Sequence, residues 1–144
     1  MERLVTVRFN AERSSTVNAV LSDIGADESY ALILEKVFDT VMNGGYVQKN
    51  NAPADIKTEL SDAQTMCEVP FCYKRKSGES EELCNGVIDL IYQKNGKLCI
   101  VDYKTTAETE NLEESYSSQL DEYKAAVKTI LGESADAYIY HIDV

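Results

Sequence analysis

NGVIDLIYQKNGKLCIVDYKT, residues 85–105, is the stretch whose reading decides the fold. Two runs rich in β-branched residues, 87–93 and 98–104, flank Asn95-Gly96, a pair that accepts positive φ and favours a two-residue turn. The segment reads as a β-hairpin. With Asn95 and Gly96 at the centre of the turn, Lys94 opposes Lys97, and the same count sets Asp89 opposite Asp102. Because side chains alternate along a strand, Asp89, Asp102 and Lys104 are expected on one face with Ile91 and Ile100, and Leu90, Val101 and Tyr103 on the other.

Opposed partners carry Cβ atoms about 5 Å apart, where like charges destabilise by up to roughly 1 kcal/mol. Two carboxylates placed so closely among Ile, Leu and Val call for a compensating charge. A hard divalent cation such as Mg²⁺ takes oxygen ligands and commonly uses one or two carboxylates plus substrate phosphate. Lys104, one pleat along, would then present an ammonium to that phosphate. The plainer reading is a partly solvated hairpin whose acids meet water. The apolar runs around both acids count against it.

Gly86-Val87-Ile88-Asp89, thirteen residues ahead of Asp102-Tyr103-Lys104-Thr105, resembles the signature of the PD-(D/E)xK nuclease superfamily. The wording is most similar to the nuclease domain at the end of RecB and AddA helicase-nucleases. Gln119 and Tyr123 match the Gln-x-x-x-Tyr of that branch, and Cys67-Glu68-Val69-Pro70-Phe71 is similar to its Glu-x-Pro-Phe strand. The likeness runs from Cys67 to the end of the chain.

The resemblance implies an α/β, restriction-endonuclease-like core with a central mixed sheet flanked by helices. It also implies a DNA nuclease that uses Mg²⁺ or Mn²⁺, exonuclease rather than endonuclease, working in repair or recombination and associated with a helicase. By this likeness Asp89, Asp102 and the Tyr103 carbonyl hold the metal, and Lys104 and Glu68 assist catalysis. Gln119, Tyr123 and Thr105 bind substrate. One departure stands out. The family carries a metal-binding histidine on its N-terminal helix, and no histidine precedes His141 here. The matching position falls among Leu32, Ile33 and Leu34, with Glu35 the nearest carboxylate that would replace it.

A chain of 144 residues is expected to be one domain with a real core, a helical part over 1–64 and the catalytic core over 65–144. Composition is that of a globular protein, 44% hydrophobic and 27% charged. No apolar run approaches the roughly 18 residues of a membrane span and no signal peptide is evident, so a soluble, cytoplasmic protein is expected.

Fourteen Lys and Arg against 25 Asp and Glu give a net charge of −11, opposite to the basic footprint of a free-standing nucleic-acid binder. The basic cluster Lys74, Arg75 and Lys76 offers a phosphate contact or a solvated strand end. Acidic groups at Glu79, Glu81 and Glu82 and at 108–114 would repel phosphate. Cys67, Cys72, Cys84 and Cys99 lack Cys-x-x-Cys spacing, which speaks against zinc and for reduced strand and core residues.

From the start of the chain, 4–9 alternates like a short strand, and Ser15 or Thr16 would cap a helix that Gly25 stops. A helix is expected over 27–42, burying Tyr30, Ile33, Leu34, Val37, Phe38 and Val41, with Gly44-Gly45 ending it. Residues 50–53 form a loop and 54–64 a short helix. The first strand of the sheet covers 65–75, and 74–82 turns into the hairpin. A polar connection over 106–114 leads to a helix over 115–131 with Tyr116, Leu120, Tyr123, Val127, Ile130 and Leu131 on one face. A last strand covers 137–144, with His141 structural. A second reading makes the chain a catalytically silent relative that docks onto a helicase. A third, an acidic DNA mimic, rests on charge alone.

Overall fold

The computed structural model describes residues 13–42, 46–48, 56–105 and 112–142. The expected strand over 4–9, the glycine pair Gly44-Gly45, the loop over 50–53 and the acidic run at 108–110 lie outside them. The elements run α1 (Arg13–Ile24), a 3₁₀ turn (Glu28–Tyr30), α2 (Ala31–Met42), β1 (Tyr46–Gln48) and α3 (Ile56–Ser61). They continue with β2 (Gln64–Ser77), β3 (Ser80–Lys94), β4 (Lys97–Lys104), α4 (Leu112–Leu131) and β5 (Ala135–Ile142).

The hairpin at the centre forms as its turn residues dictate. Asn95 and Gly96 both take positive φ, 52° and 76°, the requirement of a two-residue primed turn. Lys94 pairs with Lys97, Ile91 with Ile100 and Leu90 with Val101, the register that the turn implies. Its neighbour is longer than expected. Residues 74–82 do not form a polar turn; β2 continues to Ser77, β3 starts at Ser80, and Lys76 faces Glu81 across the hairpin. Opposite charges on facing strands stabilise such an extension, and Gly78 at φ 63° supplies the reversal.

The sheet has five strands in the order β1-β5-β4-β3-β2. β2, β3 and β4 form an antiparallel meander, α4 crosses over, and β5 returns parallel to β4. Three-residue β1 pairs antiparallel with β5 at the edge. No sequence feature marks so short a strand. This is the mixed sheet flanked by helices of a restriction-endonuclease-like α/β core.

Each face of the sheet carries its own core. Val17, Val20 and Leu21 of α1, Leu34, Val37 and Phe38 of α2 and Ile56 of α3 pack with Leu90, Tyr92, Cys99, Val101, Tyr103 and Tyr140. On the other face, Leu120, Tyr123, Ala126 and Val127 of α4 pack with Phe71, Tyr73, Ile88, Ile91, Ile100 and Ile139. The helical stripes are narrower than periodicity suggests. Tyr30 and Ile33 on the α2 side, and Ile130 and Leu131 at the end of α4, are exposed. Asp27 is the N-cap of the 3₁₀ turn, accepting the Ser29 N–H at 2.9 Å, and that hydrogen bond lowers its carboxyl pKa. The expected start of α4 at residue 115 moves to Leu112, while Gln64 belongs to β2 rather than to a helix. Among the described residues, no helix is long and apolar enough to cross a membrane.

Candidate active site

By count along the strands, three acids come level with one another. In β2 and β3 the pairs Cys67↔Leu90 and Val69↔Ile88 bracket Glu68 against Asp89, and in β3 and β4 the count beyond Leu90↔Val101 sets Asp89 against Asp102. The ladder is irregular there. Glu68 has φ 50°, in the left-handed region that side chains with a Cβ avoid. Ile88 packs under α4, whereas Leu90 packs on the opposite face with α1 and α2. Residues two apart in a regular strand share a face, so β3 changes phase across Asp89. The paired ladder between β3 and β4 stops one residue short of the Asp89–Asp102 position. Instead, Asp89 Oδ2 accepts the backbone N–H of Tyr103 at 2.9 Å. Asp89 therefore lies at the change of face rather than squarely on the face of Ile91.

Asp102 behaves as its alternation requires. Leu98 and Ile100, four and two residues back, belong to the core under α4, and Asp102 follows them onto that face with 1% of its surface exposed. A buried carboxylate needs a counter-charge or strong hydrogen bonds. Lys104 Nζ lies 2.7 Å from Asp102 Oδ2. The same ammonium donates to Gln119 Oε1 at 3.2 Å and sits 4.3 Å from the centre of the Tyr116 ring. Gln119 Nε2 donates in turn to the Tyr123 hydroxyl at 2.8 Å. Tyr123 meets Phe71 edge to face, ring centres 5.8 Å apart, and Phe71 lies against Gly86, where a Cβ would come within 2.8 Å of the ring. A chain of contacts thus runs from the sheet into α4 and back to β2.

The structure brings Asp102, Lys104, Gln119 and Tyr123 into direct sequence of contact, and joins Asp89 to them through the Tyr103 amide. Glu68 is exposed on β2, level with Asp89 by count. Thr105, half-buried, follows the end of β4. Tyr116 was legible only as one member of the buried stripe of α4; its place three residues before Gln119, hence on the same helix face, is the signal that singles it out. His141 is buried in β5 and pairs with Lys104 in the parallel ladder.

Other candidates have local partners. Glu35 forms an ion pair with Arg13 of α1 at 3.4 Å, while Leu32 and Ile33 are exposed and Leu34 is in the core. Lys74 and Arg75 pair with Glu81 and Glu82 at 3.4 and 2.9 Å, so their charge is largely neutralised within the hairpin. The four cysteines are free thiols, Cys84 and Cys99 buried, Cys67 and Cys72 exposed on β2. Although Cys67 is exposed at the surface, partial desolvation by the surrounding strands, and secondly the charge of Glu68, pushes its thiol up, which keeps it protonated at neutral pH.

The donor chemistry of these groups suits a hard divalent cation. It offers carboxylate oxygens, a backbone carbonyl at Tyr103, and a buried anion, Asp102, already seated against a positive charge. Among the described residues, no three His, Cys, Asp or Glu side chains converge tightly enough to hold an ion between them. An ion here would rest on one or two carboxylates and otherwise on carbonyl, solvent and substrate oxygens, a common arrangement for Mg²⁺. Asp89 and Asp102, with the Tyr103 carbonyl, are the groups that would hold it.

The chain is 29% identical over 110 residues to a protein of Staphylococcus carnosus that forms one subunit of an ATP-dependent helicase/nuclease, a match covering 63% of this chain and 9% of that protein. Against the protein of the same name from Staphylococcus epidermidis it is 36% identical over 101 residues, covering 57% of this chain and 8% of the relative. The chain thus spans less than a tenth of the length of these two relatives. The solved structure of protein VC1899 from Vibrio cholerae overlays 85% of this chain and 32% of its own at 17% identity, with a TM-score of 0.36. The family model of the PD-(D/E)XK nuclease superfamily matches residues 19–143, nearly the whole chain including the three acids, Lys104 and α4, and the chain belongs to that superfamily.

Proposed function

We propose that this chain is a metal-dependent DNA nuclease of the helicase-nuclease type. The observation that carries the reading is the buried Asp102–Lys104 pair at the end of β4, set beside Asp89 and fixed from α4 by Gln119. A core with no chemical task has little reason to bury a carboxylate and an ammonium where two apolar side chains would serve as well or better.

A bound Mg²⁺ or Mn²⁺ would supply Lewis-acid polarisation of a phosphodiester. Asp89 and Asp102 provide the anionic seat, and the Tyr103 amide fixes the Asp89 carboxylate so that its orientation is set before substrate arrives. Lys104 presents positive charge where a phosphodiester under attack gathers negative charge, the preorganised electrostatics that contribute most to such reactions. Gln119 fixes the ammonium and Tyr123 fixes Gln119. Glu68, exposed on β2, orients water at the site, and Thr105 and Gln119 meet the DNA strand, with the buried Tyr123 holding Gln119 in place. The described residues act as a single domain, with Val17, Leu34 and Ile56 of the N-terminal helices packed on the sheet face that also carries Tyr103. The likeness to helicase/nuclease proteins supports nuclease action and a helicase as partner; DNA as substrate, exonuclease action and a role in repair extend the proposal beyond it.

A silent module that docks onto a helicase is the second reading. It is favoured by α2, which carries no histidine, and by Glu35, which pairs with Arg13. Incubation with end-labelled single- and double-stranded DNA and Mn²⁺, comparing wild type with Lys104→Ala and Asp102→Asn, separates the two. Cleavage lost in both variants supports the enzyme, and shortening from one end supports exonuclease action. No cleavage by the wild type, together with no heat of Mg²⁺ or Mn²⁺ binding by calorimetry, overturns it in favour of the silent module.

A further inference from the structure

Among the described residues, the Lys104 ammonium has three neighbours of different character: the Asp102 carboxylate at 2.7 Å, the Gln119 amide oxygen at 3.2 Å and the face of Tyr116 at 4.3 Å. Two of the three come from α4, one turn apart on the same helix face. Only Asp102 is an anion. Should a divalent cation take Asp102, Lys104 loses its charged partner and is repelled by the newcomer. What then keeps it at the site is a neutral amide and a π face. Tyr116 packs against the core under α4, so its ring cannot swing away freely, and an ammonium over an aromatic face is held more strongly where water is excluded.

We infer that Tyr116 is a positioning residue whose ring retains the Lys104 ammonium at the site once a divalent cation occupies Asp102. The exchange of partners rests on the nuclease reading; the contact between ring and ammonium does not. The ring, rather than the hydroxyl, is the working part, so Tyr116→Phe preserves the function and Tyr116→Leu, apolar but without a π face, removes it.

The test uses the full chain and two readouts. In ¹H–¹³C spectra the Lys104 ε-methylene, assigned by its disappearance in Lys104→Arg, is expected upfield of the other lysines through the ring current of Tyr116. The displacement persists in Tyr116→Phe, vanishes in Tyr116→Leu, and does not shrink when Mg²⁺ is added to the wild type. A Lys104 signal at the ordinary lysine position in the wild type, or one unmoved by Tyr116→Leu, overturns the inference. In Mn²⁺-dependent cleavage, Tyr116→Leu lowers kcat about tenfold, the rate equivalent of one such contact, with KM for DNA unchanged and full rescue in Tyr116→Phe. An active wild type with Tyr116→Leu equally active overturns the inference alone. An inactive wild type with the spectral pattern intact overturns the nuclease reading and leaves the contact standing.

Discussion

Lys104 Nζ lies 2.7 Å from Asp102 Oδ2, with 2% of the Asp102 side chain and 17% of the Lys104 side chain exposed, so each is the other's main compensation for leaving water. Removing one partner of such a pair strands a buried charge and costs about 3–5 kcal/mol. Lys104→Met should lower stability by that order in urea unfolding. The stranded carboxylate should then accept another cation, and Mg²⁺ should raise the Tm of Lys104→Met by more than it raises that of the wild type. Equal shifts in both proteins would mean that the ion does not use Asp102.

Asp89 Oδ2 accepts the Tyr103 N–H across the point where the β3–β4 ladder stops. Asp89→Asn keeps an acceptor there, whereas Asp89→Ala leaves a backbone donor without one, a loss worth about 1–3 kcal/mol. The alanine variant should therefore be destabilised by that amount and the asparagine variant much less, while both lose metal-dependent cleavage. The separation of stability from activity in Asp89→Asn is the measurement that assigns the carboxylate charge to function.

Gly86 lies under the Phe71 ring, and a Cβ built there would come within 2.8 Å of Cζ and 2.9 Å of Cε1. Phe71 is itself buried and stands edge to face with Tyr123. Forcing it aside is overpacking, which costs about 1–3 kcal/mol. Gly86→Ala should show that loss in a urea melt, and because Tyr123 receives the Gln119 hydrogen bond, cleavage should fall as well.

The parts of this fold that follow from local rules were legible. Asn95-Gly96 fixed the turn, and the turn fixed the register out to Leu90↔Val101. The phase change at Glu68 and Asp89 was not legible, because counting alternate residues assumes a strand that never breaks step. Lys74–Lys76 and Glu81–Glu82 read as a polar turn, since in one dimension cross-strand ion pairs look like a hydrophilic loop. Ile33, expected in the buried stripe of α2 yet exposed at 48%, shows the same limit from the other side: hydropathy does not say which apolar residues the neighbouring elements will cover. Of the candidate site, Asp102, Lys104, Gln119 and Tyr123 followed from the motif order, whereas the pairing of Glu35 with Arg13 depended on where α1 packs.

Tyr92 and Tyr138 contribute to the alkaline limit. Burial, first among its causes, pushes the Tyr138 phenol up to about 12, and burial likewise pushes Tyr92 well above the ordinary tyrosine value of 10.0. The fold therefore holds both in the neutral form, while the unfolded chain ionises them near pH 10. Their contribution is complete below pH 10 and is lost as pH rises through the interval towards 12. Circular dichroism and tyrosinate absorbance followed together should show ionisation of these two phenols coinciding with unfolding. Tyr138→Phe should shift the transition to higher pH.

Glu68 offers a test of strain against function in one residue. Its φ of 50° places an L side chain in a conformation that costs about 1–2 kcal/mol and that glycine adopts freely. Glycine in an ordinary strand position loses about 0.5–1 kcal/mol through chain entropy. At Glu68 the relief of strain should cancel or exceed that loss, so Glu68→Gly should unfold at an equal or higher urea concentration, unlike glycine at neighbouring Val69. Backbone strain held by a non-glycine residue level with two other acids is the pattern expected of a working site. Cleavage should accordingly fall in Glu68→Gly although the protein is no less stable. If stability drops instead, Glu68 is retained for its contacts within the fold, and the carboxylate has no claim on the chemistry.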